Sequence, residues 1–145
     1  VARWPRVIAP ARVSTQHCLT MDWSATMLAA AGVDAAPGFP LDGVSLLPVL
    51  RDASQRFERP LHWRMNHRGQ RATRQGDWKY LRVDGHDYLF NLSADERERA
   101  NLATREPARL AALRADWEAW DATLPPIPPD ATISLGYGAK DMPQR

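Results

Sequence analysis

The sequence predicts an α+β fold in which a small antiparallel sheet packs against a C-terminal helix. Three observations carry this. Residues 60–92 alternate apolar and polar side chains in short runs separated by turn signals. Asp84-Gly85 sits between two such runs, as the two-residue turn of a hairpin does. Leu110, Leu113, Trp117, Trp120 and Leu124 fall on one stripe at helical spacing.

The elements follow in chain order. "VARWPRVIAPARVS" reads as one short extended run ending in a proline-broken loop, because Pro5 and Pro10 cannot donate to a ladder. "TMDWSATMLAAAG" reads as a helix to Ala31, with Thr20 or Asp22 as its cap and Gly32 as its stop. Met21, Ala25, Leu28 and Ala29 line one face, while Trp23, Met27 and Ala30 line the other. A helix apolar all round is expected to be buried on most sides. Residues 33–59 are mostly loop, with a helical turn over Ser45–Leu50.

"RPLHWRM" sets Leu61, Trp63 and Met65 against His62, Arg64 and Asn66. "RATRQGDWKYLRV" continues as strand, with a turn or bulge at Gln75-Gly76 or Gly76-Asp77, and "DGHDYLFNL" closes the sheet. Three or four antiparallel strands are expected between Pro60 and Leu92. Trp63 and Trp78 are expected to face the helix, with the arginines on the wet side. "SADE" at 93–96 has a capping-box pattern and predicts a helical turn over Ala94–Arg99. The final helix is expected over 105–123. Beyond Leu124, "PPIPPDATISLGYGAKDMPQR" reads as an extended proline-rich tail.

Composition narrows the function. The 145 residues hold 44% hydrophobic and 25% charged side chains, as a globular domain does. Net charge is +2, from 19 Lys and Arg against 17 Asp and Glu, too balanced for a dedicated nucleic-acid binder. No apolar run approaches the roughly 20 residues that span a bilayer. One cysteine, Cys18, excludes an internal disulfide and a multi-cysteine zinc site. It is read as a packing residue, since His17 beside it is badly placed to activate it. The chain opens Val1-Ala2-Arg3 and is expected to be a piece of something longer.

The candidate site residues lie in the β region. His62 and His67 read as surface histidines on a sheet, with a catalytic or substrate contact from His67 as the alternative. His67 sits beside Arg68 and Gly69 in a loop, where binding residues concentrate. Arg64, Arg68, Arg71, Arg74 and Arg82 interleave with Trp63, Trp78 and Tyr80. Such a face could bind single strands of nucleic acid, but the helix stripe needs the same aromatics. An anionic small molecule suits the guanidinium forks better.

Five stretches, in order, resemble the C-terminal portion of a sulfatase of the arylsulfatase type, in the alkaline-phosphatase-like superfamily. "VARWP" resembles a strand that precedes a proline-rich loop. "LTMDWSATMLAAAGV" resembles a helix in which Asp22, Thr26 and Gly32 match and Ala25 replaces a common Pro. "LDGVSLLPVL" resembles an Asp-Gly-x-Ser-Leu-x-Pro-x-Leu segment. "ATRQGDWKYLR" resembles an Arg-x-Gly-Asp-Trp-Lys strand. "YLFNLSADERERANLA" resembles a Leu-Tyr-Asp-Leu, Asp-Pro-x-Glu, Asn-Leu-Ala stretch, with Phe90 and Asn91 for Tyr and Asp and Glu96 for a common Pro.

The resemblance implies that residues 1–50 are a remnant of an α/β sandwich core, 51–124 a C-terminal subdomain, and 125–145 a tail. It implies a parent that hydrolyses sulfate esters of small molecules or saccharides, using calcium and a formylglycine. That residue is made from the Cys or Ser of Cys/Ser-x-Pro-x-Arg; Cys18 is followed by Leu-Thr-Met and does not match. No catalytic or metal-binding residue is therefore expected in this chain, which alone is expected to be inactive. A phosphonate or phosphate monoester hydrolase of the same superfamily, or a free-standing anion-binding module, are the alternatives. Substrate contact from His67, Arg68 and Arg64 is the remaining expectation. Exposed apolar surface could also drive self-association.

Overall fold

The structure, a computed structural model, describes residues 1–131. It divides into two compact units, Val1–Phe57 and Glu58 onward. The α+β expectation holds: four antiparallel strands accompany three α-helices and a single 3₁₀ turn among the described residues.

In the first unit, α1 spans Met21–Ala31 and α2 spans Leu47–Arg51. Gly32 ends α1 in the left-handed region at φ 67°, and Val33 N–H donates back to Leu28 O at 3.0 Å. That is the stop expected of a glycine, which has no Cβ to oppose positive φ. Of the two proposed caps, Thr20 makes no side-chain bond. Asp22 reaches back instead: its Oδ2 accepts Leu19 N–H at 2.6 Å and its Oδ1 accepts Val44 N–H at 2.9 Å. Thr26 Oγ1 donates to Asp22 O at 2.6 Å and accepts Leu46 N–H at 2.8 Å. The segment Gly43–Leu46 is thus stitched to the first turns of α1.

Two expectations fail in this unit. Residues 1–14 form turns, with Val7 and Ile8 N–H both donating to Trp4 O, and no strand. Positive φ at Arg6 and Ala11 breaks the extended run. Helix α1 buries only Asp22, Ala25 and Thr26, while Met21 and Met27 stay exposed. Its buried stripe follows the hydrogen-bonding residues rather than the largest apolar ones.

In the second unit, β1 (Leu61–Arg64), β2 (Arg71–Gln75), β3 (Trp78–Val83) and β4 (His86–Asn91) form a meander in the order β1-β2-β3-β4. Gln75 pairs with Trp78 and Val83 with His86, so both hairpins close through two-residue turns. Asp84 and Gly85 both take positive φ, 50° and 79°, as the right-handed twist of a tight hairpin asks.

Helix α3, Pro107–Asp121, begins at a proline whose missing N–H would have had no helical partner. It packs Leu113 and Trp117 on Tyr80 and Leu89, with Trp78, Leu110 and Trp120 around them. Cross-strand pairs share a face, so the register puts His62, Arg64, Arg71, Thr73, Trp78, Tyr80, Arg82 and Leu89 on this side. Leu61, Trp63, Ala72, Val83, Tyr88 and Phe90 lie on the other, and all but Trp63 are buried.

The register corrects the expected division of faces. Trp78 faces α3, but Trp63 does not: only its backbone O meets the helix, accepting Trp117 Nε1–H at 3.0 Å. Arg64, Arg71 and Arg82 lie on the helix side rather than the wet side. The stripe of α3 is flanked by Asp116, whose Oδ2 lies 2.8 Å from His62 Nε2, and by Asp121, which pairs with Arg64. The guanidinium of Arg71 lies 4.7 Å from the Trp117 ring centroid, and that of Arg109 lies 4.3 Å from Trp78.

Residues 93–100 form no helix. Asn91 Oδ1 accepts from Ser93, and Asp95 Oδ2 accepts Arg99 and Ala100 N–H at 2.7 Å each. These carboxamide and carboxylate bonds offer the backbone turns instead of a helix, and Glu98 at φ 55° prevents one. Part of the proline-rich tail, 132–145, lies outside the described residues.

Candidate substrate-contact site

The β1–β2 connection holds two of the three candidate contacts. Met65 N–H donates to Gln70 O at 2.9 Å, closing the loop on itself. Between them His67–Gly69 make a single 3₁₀ turn, with Gly69 N–H donating to Asn66 O at 3.1 Å. Asn66 Nδ2 donates to Ala131 O. Arg68 sits at the apex at φ 56° and ψ 22°, and Gly69 follows at φ 59°. For a non-glycine residue the left-handed region costs about 1–2 kcal/mol, so the surroundings must hold it there.

They do so through the β3–β4 turn. In a meander, the β1–β2 loop and the β3–β4 turn lie at the same end of the sheet. Asp84 N–H donates to Arg68 O at 3.0 Å. Arg68 Nε donates to both Asp84 oxygens, at 3.1 and 3.0 Å, and Nη2 donates to Oδ2 as well. The pair is a fork on a carboxylate at the protein surface, its side chains 24% and 37% exposed.

Arg64 is placed elsewhere. Its Nη1 donates to Asp121 Oδ1 at 2.8 Å and its Nη2 to Pro125 O at 2.9 Å, binding β1 to the end of α3. The two arginines thus answer to different carboxylates. His67 is partly buried within the loop. His62 faces α3, stacking on Trp120 at 5.0 Å with its Nε2 2.8 Å from Asp116 Oδ2. Neither Asp84 nor Asp121 was visible as a partner in the sequence. Asp84 was recognised only as a turn residue, although strand order alone brings that turn beside the loop.

The electrostatics under α3 centre on Asp87. It accepts Tyr80 O–H at 3.1 Å and Arg82 Nη1 at 3.1 Å, with Arg114 Nη1 3.5 Å away. Burial, followed by the charge of Asp87 and its hydrogen bond, pushes the Tyr80 phenol up to about 12. Arg114 is held above its ordinary value by its hydrogen bond to Glu118, then by the charges of Glu118 and Asp87.

Cys18 is exposed rather than packed. It borders a cavity of about 270 Å³ in the first unit, beside Arg12, Gln16 and Trp23. Among the described residues no group of three or more His, Cys, Asp or Glu could hold a metal ion. The described residues thus offer calcium no cluster of carboxylates, and Cys18, followed by Leu-Thr-Met, is not in a Cys-x-Pro-x-Arg motif. No described helix is long and apolar enough to cross a membrane.

No family model and no curated protein matches the chain. Solved structures do. Ps i-CgsB, also seen in complex with k-i-k-neocarrahexaose, is similar at a TM-score of 0.69 and 21% identity, over 81% of this chain and 27% of that one. BT4656, in complex with its substrate D-glucosamine-2-N,6-O-disulfate, gives 0.66 and 21%, over 83% and 27%. BT1596, a 2-O GAG sulfatase, gives 0.52 and 23%, over 68% and 23%. The chain spans about a quarter of the length of these structures, and over that span it has a fold found in sulfatases.

Proposed function

We propose that this chain is the C-terminal portion of a sulfatase of the arylsulfatase type, whose whole length hydrolyses sulfate esters carried on saccharides. In this reading residues 1–50 end the alkaline-phosphatase-like core, 51–124 form the C-terminal subdomain, and the nucleophile and metal ligands lie on the parent outside this chain. The β1–β2 loop, with His67 and Arg68, touches substrate, and Arg64 braces the strand that carries the loop. The chain alone is inactive.

The observation that supports this best is the agreement of two kinds of likeness. Five ordered motifs resemble sulfatases in residue type, and the backbone resembles sulfatase structures at 21–23% identity. The motif residues also sit at the joints of the fold: Asp22 and Thr26 on Gly43–Leu46, Lys79 Nζ on Glu98 at 2.7 and 2.8 Å, and Asn101 Oδ1 on Leu89 N–H at 3.1 Å.

An activity panel tests it. The polypeptide from the entire reading frame is expected to turn over aryl sulfates and sulfated saccharides and to lose that activity to a chelator. The 145-residue chain is expected to turn over neither. Faster hydrolysis of phosphonate or phosphate monoesters than of sulfates would move the reading to that branch of the superfamily. Chelator-sensitive turnover by the short chain would overturn it.

A further inference from the structure

We propose that the second apolar face of α1, carrying Trp23, Met27 and Ala30, is a docking groove. Its occupant is the part of the same polypeptide that precedes this chain in the parent. The proposal rests on the reading above for that occupant, and adds to it the face of α1 on which the two parts join.

The two units differ in how well they cover themselves. The apolar side chains fully buried in the first unit are Ala25, Leu46, Leu47 and Val49 alone. Among the described residues every exposed large apolar side chain except Trp63 lies in that unit. Single exposed apolar residues are ordinary, but a contiguous apolar surface marks a binding face.

On α1 the exposure has a shape. Trp23, Met27 and Ala30 fall at i, i+4 and i+7, one stripe of the helix, and the sequence predicts that stripe to be buried. The helix buries Asp22, Ala25 and Thr26 instead, leaving Ala30 exposed and Met27 66% exposed. Trp4, Ile8 and Leu50 stand against the stripe and line a cavity of about 370 Å³ with it. Ile8, Trp23 and Leu50 also wall the cavity that Cys18 borders, so the two hollows share one side. Arg3 is the one charged residue in the wall, and the Thr26 hydroxyl there is already committed to Asp22 O and Leu46 N–H. Such a wall offers dispersion contact and few hydrogen bonds, which fits apolar side chains of a protein rather than a sugar.

The length of the similar structures identifies the occupant. Ps i-CgsB matches 81% of this chain over 27% of its own. A match of that extent is longer than Glu58–Arg145, so it reaches into the first unit. A chain of that size has about three-quarters of its length left to cover the groove. Tethered to α1, that segment docks without needing high affinity of its own.

The test compares methionine oxidation by dilute peroxide in the 145-residue chain and in the polypeptide of the entire reading frame. The short chain is kept dilute enough to be monomeric by sedimentation, and fragment mass spectra separate Met27 from Met21. Met27 is expected to oxidise several-fold more slowly in the long polypeptide. Met27→Asp is expected to leave the Tm of the short chain nearly unchanged and to lower that of the long one by several degrees, because a carboxylate then enters an apolar joint. Loss of soluble long polypeptide counts with a lowered Tm when the short chain carrying the same change stays folded. Equal oxidation rates in the two polypeptides, or a long Met27→Asp variant that melts with wild type, overturn the groove. Protection lost on dilution of the long polypeptide makes a second copy the occupant and overturns it too. A reading frame that opens at Val1 leaves no occupant and removes the proposal together with the sulfatase reading. Slow oxidation without sulfate-ester hydrolysis supports the groove and sinks that reading, whereas hydrolysis with Met27 unprotected does the reverse.

Discussion

Asp22 is a carboxylate with no solvent exposure, on a helix that leaves Met21 and Met27 exposed. Its two oxygens accept backbone N–H groups 3 and 22 residues away, so burial does not leave it bare. Asp22→Ala strands both donors and is expected to cost about 2–5 kcal/mol in urea unfolding. Gly43 belongs to the same joint for a steric reason. A Cβ there would lie 2.3 Å from Met21 O and 2.8 Å from Asp22 N. Backbone must move to admit it, so Gly43→Ala is expected to destabilise by about 1–3 kcal/mol, whereas Gly38→Ala meets no atom and is limited to the strain of positive φ. Tyr80 makes a prediction in pH. Its folded pKa of about 12 exceeds the ordinary 10, so the folded state holds its proton more tightly. The associated stability is complete below pH ~10 and falls between ~10 and ~12, by up to about 1.4 kcal/mol per unit. Absorbance at the phenolate band should show one tyrosine titrating late, and Tyr80→Phe should remove that component.

At the scale of elements, α3 covers one face of the sheet. Trp117 is 2% exposed, donates to Trp63 O and carries Arg71 on its ring. Trp117→Ala is expected to cost about 3–5 kcal/mol, and Trp63→Ala, on the other face and 40% exposed, much less. Equal losses would mean that α3 does not pack as described. The strands themselves were legible in the sequence, because period-2 alternation and Asp84-Gly85 are local signals. So was the α3 stripe. The allocation of arginines to faces was not, because it depends on which flank of α3 carries Asp116 and Asp121. That is a tertiary fact with no local signature. Residues 93–100 misled for a related reason: Ser, Asp and Glu at capping-box spacing also suit turns, and Asn91 and Asp95 chose the turns. The candidate site was legible only as a loop with a histidine and an arginine. Asp84, which pairs with Arg68 there, lies 16 residues away in sequence.

At the scale of the whole molecule, the motifs that carry the resemblance are joints rather than reactive groups. Asp22, Thr26, Gly43, Lys79 and Asn101 tie loops to helices and strands. Such residues preserve a fold without performing its chemistry, which agrees with a chain that spans about a quarter of its structural relatives. The first unit leaves Met21, Met27, Val33, Phe39 and Leu41 exposed. In the proposed parent the upstream core covers such surface; without it, the isolated chain is expected to self-associate with rising concentration, as sedimentation would show. The central claim, that this is the C-terminal portion of a sulfatase, is tested most directly by reading the coding DNA upstream of the Val1 codon. The account predicts a long in-frame extension containing Cys/Ser-x-Pro-x-Arg and an early Asp-Asp pair. A start codon immediately before Val1, or an extension without any such nucleophile motif, would contradict it.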